Sequence, residues 1–292
     1  VPFVLKAAPD LCWRALLLLA LLGASLAPAQ PAGRKVRPPP NYVQFGTPDQ
    51  EAGARILRGF RSMGIAGDYY LEFRLRLMPR RGAEVEEGGR LWGTRNALGP
   101  FQRVELGQAG VKGRWLIQNG VEPVVWQSRA DGTANLIPNE KLFLPLLPGA
   151  DLTPFDLQMP YLFWEDFVFE GVSRVRGRPA HTFLLYPPAD YLATDSELVG
   201  VRVQLDTQFN ALVQSELIGT DGRPYKTMSV LDLKKAGEQW MVKTIDLRDE
   251  RTRHKTRFQI TGVALEQDFS PVIFSPDQLD LPLTAPERII GL

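Results

Sequence analysis

From Tyr69 onward the apolar residues of this chain recur at every second position. That period, repeated with no helical interval, restricts the fold more than any other feature. Tyr69, Leu71, Phe73, Leu75 and Leu77 alternate with Tyr70, Glu72, Arg74, Arg76 and Met78. Successive side chains of an extended chain point to opposite faces, so this is a strand with one apolar and one mostly polar face. Similar stretches follow at 90–94, 101–106, 114–118, 121–127 and 134–138, then at 167–176, 180–186, 200–206, 211–219, 225–234, 239–249 and 255–265. Asn119-Gly120, read as a tight hairpin, and Gly177-Arg178, Asp221-Gly222 and Gly237-Glu238 supply turns. Parallel strands need crossover connections, usually helical, and no helical pattern lies between these stretches. The expected fold is mainly β, an antiparallel sheet of roughly a dozen strands.

One helix precedes the strands. In Thr47-Pro48-Asp49-Gln50 we read Thr47 as the cap, Pro48 as the first helical residue and Gln50 as closing a capping box. Ala52, Ile56, Leu57, Phe60 and Met63 then share one face, and Gly64 suits the stop. Ile56, Leu57 and Phe60 are expected to lie on the sheet.

The stretch 139–164 fits neither period. It is dense in Leu and aromatic residues, and Pro145, Pro148, Pro154 and Pro160 prevent a long helix or strand. Thr153-Pro154-Phe155-Asp156 suits one short helical turn. Two readings stand open: a connection that fills the inside of the sheet, or a mobile apolar lid over a cavity. If a cavity exists, its wall is expected to draw on Phe143, Leu146, Phe155, Phe163 and Trp164 from this stretch. Trp115 and Trp126 from the Asn119-Gly120 hairpin and Phe73 and Leu75 from the first strand complete the set.

The N-terminus reads as a targeting segment. Lys6 and Arg14 precede the apolar run 15–22, and Ala27-Pro28-Ala29 supplies small residues at its end, the layout of a secretory signal peptide. The run is shorter than the about 20 residues needed to cross a bilayer. We expect residues 1–29 to be a cleaved signal peptide, 30–46 a flexible Pro-rich linker, 47–280 the β domain and 281–292 a C-terminal tail. The cleaved protein would be periplasmic. It would have no net charge and no cysteine, since the single Cys12 lies in the leader, badly placed for lipid attachment.

With 34 Lys and Arg against 33 Asp and Glu, the chain lacks the cationic surplus that phosphate backbones demand, so nucleic acid is not an expected partner. No nucleophile elbow, zinc-protease motif or Walker loop occurs. The two histidines, His181 and His254, stand apart within strand patterns, and His181 reads as a hydrogen-bonded structural residue. The basic run 248–257 is interrupted by Asp249 and Glu250, with Asp246 just before it, and reads as a solvated hairpin end with cross-strand ion pairs. No catalytic residue, metal or cofactor is expected.

Asp156-Leu157-Gln158-Met159-Pro160-Tyr161-Leu162-Phe163-Trp164, then Gly171, Arg176-Gly177-Arg178-Pro179-Ala180 and Val201-Arg202-Val203-Gln204-Leu205-Asp206 resemble the outer-membrane lipoprotein-sorting (LolA/LolB-like) superfamily. Gly222, Lys226, Trp240 and Lys255-Thr256 fit the same run of strands. The resemblance implies an incomplete, half-open antiparallel β-barrel, its open side covered by the N-terminal helix and a lid segment. It also implies a non-catalytic periplasmic carrier whose concave interior shelters lipoprotein acyl chains or another lipid, with an inner- or outer-membrane protein as a further partner. The alternative on the same scaffold is an envelope-sensing or protein-binding module. A membrane-embedded barrel fits less well, because Glu72, Arg74, Arg76, Lys243 and Asp246 charge the outward faces.

Overall fold

The alternation read from the sequence runs through thirteen strands, and a two-residue strand at 290–291 is added to them, in the computed structural model, which describes residues 46–107, 112–191 and 197–292. The signal peptide, and all of the 30–46 linker except Gly46, lie outside the described residues.

Helix α1 spans Gln50–Ser62. Its cap is Asp49, not Thr47: the Asp49 carboxylate accepts from the backbone N–H groups of Glu51 and Ala52, at 2.9 and 3.1 Å. A carboxylate adjacent to the positive helix end is favoured both as acceptor and as charge. Leu57 is fully buried and Ile56 and Phe60 half-buried against the sheet, while Met63, already in extended backbone, is exposed.

The first six strands are β1 Asp68–Met78, β2 Val85–Asn96, β3 Gly99–Leu106, β4 Gly113–Gln118, β5 Val124–Ser128 and β6 Ala134–Leu136. The remainder are β7 Phe167–Val175, β8 Arg178–Leu185, β9 Gly200–Asp206, β10 Leu212–Ile218, β11 Pro224–Ala236, β12 Gln239–Asp249, β13 Lys255–Gln267 and β14 Ile290–Gly291. All pairings are antiparallel, in the order β6-β5-β4-β3-β2-β1-β13-β12-β11-β10-β9-β8-β7, with β14 added to β13. Two meanders, β1 to β6 and β7 to β13, are thus joined through one long-range ladder between β1 and β13. The sheet curls but does not close: β6 and β7 are its two edges.

Those edges are consecutive in sequence, so the connection between them crosses the open side. It carries α2 Pro154–Gln158 and short 3-10 turns at Asn139–Lys141 and Pro160–Phe163. The concave face holds Leu71, Phe73, Leu75 and Leu77 of β1, Trp115 and Ile117 of β4, Val201, Val203 and Leu205 of β9, and Phe258 and Ile260 of β13. Helix α1 flanks the β7 edge. The Gln50 side chain accepts from the Phe169 N–H and donates to the Phe169 carbonyl, both at 2.9 Å, as a neighbouring strand would. This occupies backbone groups that an open edge would present to another chain.

The convex face of β1 to β5 carries a smaller apolar cluster of Tyr70, Trp92 and Leu116, covered by Phe274 and Leu279 from the C-terminal segment. The 281–292 stretch is not a free tail. Leu283, Ala285 and Ile289 pack on that cluster, and Ile290–Gly291 pairs with β13. Buried Arg103 donates to the carbonyls of Ile273, Gln278, Leu279 and Leu281 and pairs with Glu105 at 3.1 Å.

At Gly53 the helix approaches β7 so closely that a Cβ would lie 2.5 Å from the Phe169 side chain. Gly53→Ala, a change that helps a free helix by about 1 kcal/mol, is therefore expected to destabilise this protein. Leu57→Ala is expected to cost about 2–5 kcal/mol, and Phe60→Ala less than full ring burial would imply. Urea unfolding midpoints of the three variants check the orientation of α1.

Candidate functional site

The connection between the sheet edges is the element most concerned with function, because it occupies the concavity. Its local structure follows from Thr153 and Asp156. The Thr153 hydroxyl accepts from the Asp156 N–H at 3.3 Å, and the Asp156 carboxylate accepts from the Thr153 N–H at 2.8 Å, a capping box that starts α2. Pro154 at the first helical position is preorganised for the turn. The turn drives Phe155 inward, where it is fully buried. Its ring stacks on Phe143 with centroids 4.5 Å apart and meets Tyr161, Trp164 and Tyr191 at 5.7, 6.2 and 6.2 Å.

Polar contacts tie this aromatic cluster to both meanders. The Asn119 amide donates to the Gln158 carbonyl, and the Gln158 amide donates to the Gln118 carbonyl at 2.9 Å. Tyr161 and Ser215 share a hydroxyl hydrogen bond of 3.1 Å. Arg61 of α1 donates to the carbonyls of Leu162 and Trp164. Lys226 of β11 pairs with Asp156, and the Asp151 N–H donates to Thr256 at 2.8 Å. Of the two readings of 139–164, the structure shows the interior-filling one in its buried half: Leu142, Leu152, Phe155, Tyr161, Leu162 and Trp164 all belong to the core.

The filling is incomplete at one end. A groove of about 430 Å³ opens where β10 ends and β11 begins, within the range of about 300–1,000 Å³ typical of small-molecule sites. Phe143, Tyr191, Leu217 and Tyr225 give it apolar walls, and Glu140, Asp151, Glu197 and Asp249 line it with carboxylates. Lys226, also on the lining, is already committed to Asp156, and Glu197 pairs with Arg251. Burial raises the Asp151 carboxyl above the ordinary range, with the Thr256 hydrogen bond opposing it. Burial likewise raises the Tyr191 and Tyr225 phenols, so both stay protonated at neutral pH. The Tyr191 hydroxyl is buried without a hydrogen-bond partner. Among the described residues no group of three His, Cys, Asp or Glu side chains converges to hold a metal ion. The arrangement suits an apolar body with a small polar or cationic end.

The residues anticipated for a cavity wall are brought together only in part. Phe73, Leu75, Trp115, Phe155 and Trp164 face the interior and are buried. Phe143, Leu146 and Phe163 sit half-buried at its margin, and of the nine only Phe143 lines the groove. Trp126 turns the other way, to the convex cluster beside Phe101. The cause is the hairpin: Gln118 pairs with Val124, so the connection is five residues, 119–123, where Asn119-Gly120 alone would make it two. Trp126 then lies opposite Leu116, on the convex face. Asp151, Tyr191, Glu197 and Tyr225 were not anticipated, and only the strand pattern around Lys226 had marked their neighbourhood. His181 lies in β8, but its Nδ1 is buried without a partner, and burial lowers its pKa. The basic hairpin is ion-paired as expected: Arg257 binds Asp246 at 2.7 and 2.9 Å, joined by Lys255 at 3.4 Å.

An open, curled antiparallel sheet with a helix at one edge and an apolar interior is a fold this chain shares with solved proteins described as lipoprotein-sorting or LolA superfamily proteins. A putative outer membrane lipoprotein-sorting protein domain from Vibrio parahaemolyticus superposes with a TM-score of 0.69 at 15% identity, over 80% of this chain and 100% of that one. A DUF1329 family protein from Desulfovibrio piger gives the same score at 13% identity, over 80% and 100% of the two chains. A LolA superfamily protein from Nitrosomonas europaea gives 0.60 at 12% identity, over 77% and 98%. The likeness at such identities is one of fold. A family model described only as an uncharacterized protein matches residues 150–280. No curated protein matches the sequence.

Two expectations follow from the geometry. Phe155→Ser is expected to cost about 3–5 kcal/mol in denaturant unfolding, because it empties the centre of the cluster. Phe143→Ser, at the groove margin, is expected to cost about 1–2 kcal/mol. For Asp151, whose folded-state pKa is raised, the protonated form favours the fold. Its contribution is fully present below the unfolded value of about 3.9 and is lost as pH rises through the folded value. Asp151→Asn keeps an acceptor for Thr256 and removes the charge. Its melting temperature relative to the parent is therefore expected to increase with pH across that window, as thermal melts of both proteins will show.

Proposed function

We propose that this chain is a non-catalytic envelope protein of the lipoprotein-sorting type that binds an acyl chain, entering at the groove and running beneath the 139–164 connection. The observation that carries this reading is a sheet interior lined by apolar side chains and closed by a segment outside the sheet, with an unfilled groove at that segment's margin. An acyl chain of about fourteen carbons gains roughly 10 kcal/mol gross from burial at about 0.8 kcal/mol per methylene. Displacing Phe143 and its neighbours, together with ordering the ligand, offsets part of that gain. The connection's polar anchors, Asp156–Lys226 above all, remain in place while the aromatic margin moves. The fold neighbours support a periplasmic location and either lipid or a lipid-modified protein as the ligand.

Native mass spectrometry of protein purified from bacterial envelopes without detergent tests the proposal. Co-purifying lipid or acylated peptide is expected, and Phe143→Ser is expected to weaken binding of a fluorescent fatty acid while the protein stays folded. A chain that carries no lipid and does not bind the fatty acid would leave the protein-binding reading of this scaffold in its place.

A further inference from the structure

At the end of the sheet opposite the groove, five large apolar side chains project into solvent, four from different connections and Trp240 from the start of β12. Trp240 is 70% exposed, Val121 78%, Phe209 53%, Met63 49% and Leu98 36%. Hydrogen bonds link the segments that carry them. Arg95 donates to the Met63 carbonyl at 3.0 Å, Asn210 reaches Met63 Sδ at 3.9 Å, and the Ala66 N–H donates to Gln239 at 3.0 Å. The Val121 N–H donates to the Leu98 carbonyl at 3.0 Å. The segment from Ser62 to Gly67 thus gathers the α1 end, the β2–β3 turn, the β9–β10 turn and the β11–β12 turn into one rim. Soluble surfaces scatter single apolar residues freely, but several gathered at one end mark an interaction site.

The form of the rim selects the partner. Its apolar groups are separate tips on or beside turns, not the walls of a groove, so a rigid protein would need a matching hole for each. A lipid interface deforms around projections. Trp is the side chain most at home there, with an apolar body and a polar N–H. Exposed Arg95, Arg176 and Lys234 stand at the same end and have stems long enough to reach headgroups. Nearby acids are partly neutralised, Glu238 by Lys235 at 2.9 Å and Asp206 by Arg178 at 3.6 Å. Glu122, beside Val121, and Glu266 and Asp268 are exposed at this end too, so these charges balance and the apolar tips carry the attachment.

We propose that this rim docks the protein reversibly on a lipid surface, with Trp240 and Phe209 entering the headgroup layer. The site lies at the opposite end from the groove and does not depend on acyl binding there.

The experiment is co-sedimentation of the protein exported and purified without the expected 1–29 leader, whose apolar run and Trp13 would themselves bind and fluoresce, with vesicles of phosphatidylethanolamine and phosphatidylglycerol, and with phosphatidylcholine vesicles as the neutral comparison. Trp92, Trp115 and Trp164 are buried and Trp126 half-buried, so among the described residues Trp240 is the tryptophan open to quenchers. Binding to the vesicles is expected, with a blue-shifted emission and protection of Trp240 from acrylamide. The double variant Trp240→Ser, Phe209→Ser is expected to keep its melting temperature and lose about tenfold in partitioning. Phe143→Ser is expected to dock as the parent does, which separates this proposal from the acyl-binding one. Failure of the parent to sediment with the vesicles, undiminished quenching of Trp240 on the vesicles, or parental partitioning by the double variant would each overturn it; the first would leave a protein partner for the rim.

Discussion

The ladder between β1 and β13 is the one strand pairing on which the architecture depends. Every other pairing within the thirteen-strand path joins strands adjacent in sequence, as the order β6 to β1 and β13 to β7 shows. Only here must residues far apart, Leu75 and Phe258 for example, find each other, at the loop-closure cost such a contact carries. Stacking of Phe73 on Phe258, with centroids 4.6 Å apart, adds side-chain attraction along the seam. Once the seam forms, the sheet's free edges belong to consecutive strands. The path from one to the other can then only run across the concavity.

The crossing path is therefore a consequence of topology, and its composition answers the requirement that topology sets. A connection inside a sheet must satisfy its own backbone, because water does not reach it. Here the capping box, the Asn119 and Gln158 amides, Arg61 and the Asp156–Lys226 pair serve that need, and they also pin the segment to α1 and to both meanders. A buried ion pair contributes little net stability but is costly to break from one side, so Asp156–Lys226 acts more as a positional lock than as a source of energy. The margin around Phe143 has no such lock, and the groove opens there.

Much of the scaffold was legible in the sequence. The strands at 200–206 and 239–249 end where their alternation ends, and Leu71 to Leu77 face inward as their period requires. What failed was decided by competition or by distance. Asp49 outcompeted Thr47 for the helix cap because its carboxylate meets both charge and hydrogen-bond demands. Trp126 was misplaced by hairpin length. A two-residue turn pairs it with Gly113 and puts it on the face of Trp115, whereas the actual connection pairs it with Leu116 and reverses it. The groove had no local signal, since Asp151, Tyr191, Tyr225 and Asp249 come from four separate elements: the β11–β12 pairing brings Tyr225 and Asp249 together, and the crossing segment adds Asp151 through its bonds to Thr256. Nor did the proline-broken stretch disclose which of its aromatic rings would be sealed. That depended on α2 aiming Phe155 at the centre while Phe143 stopped at the margin.

The division of labour between sheet and crossing segment has a further consequence for how such a molecule changes over time. In most β-barrels, capacity is set by the number of strands, and altering it means rebuilding every register. Here the strands set only the outer shell, and how full that shell is depends on one strip of about two dozen residues. Lineages could lengthen, trim or re-side this strip and pass from a packed interior to an open one without disturbing a single ladder. Ligand size would then be a trait inherited separately from the fold.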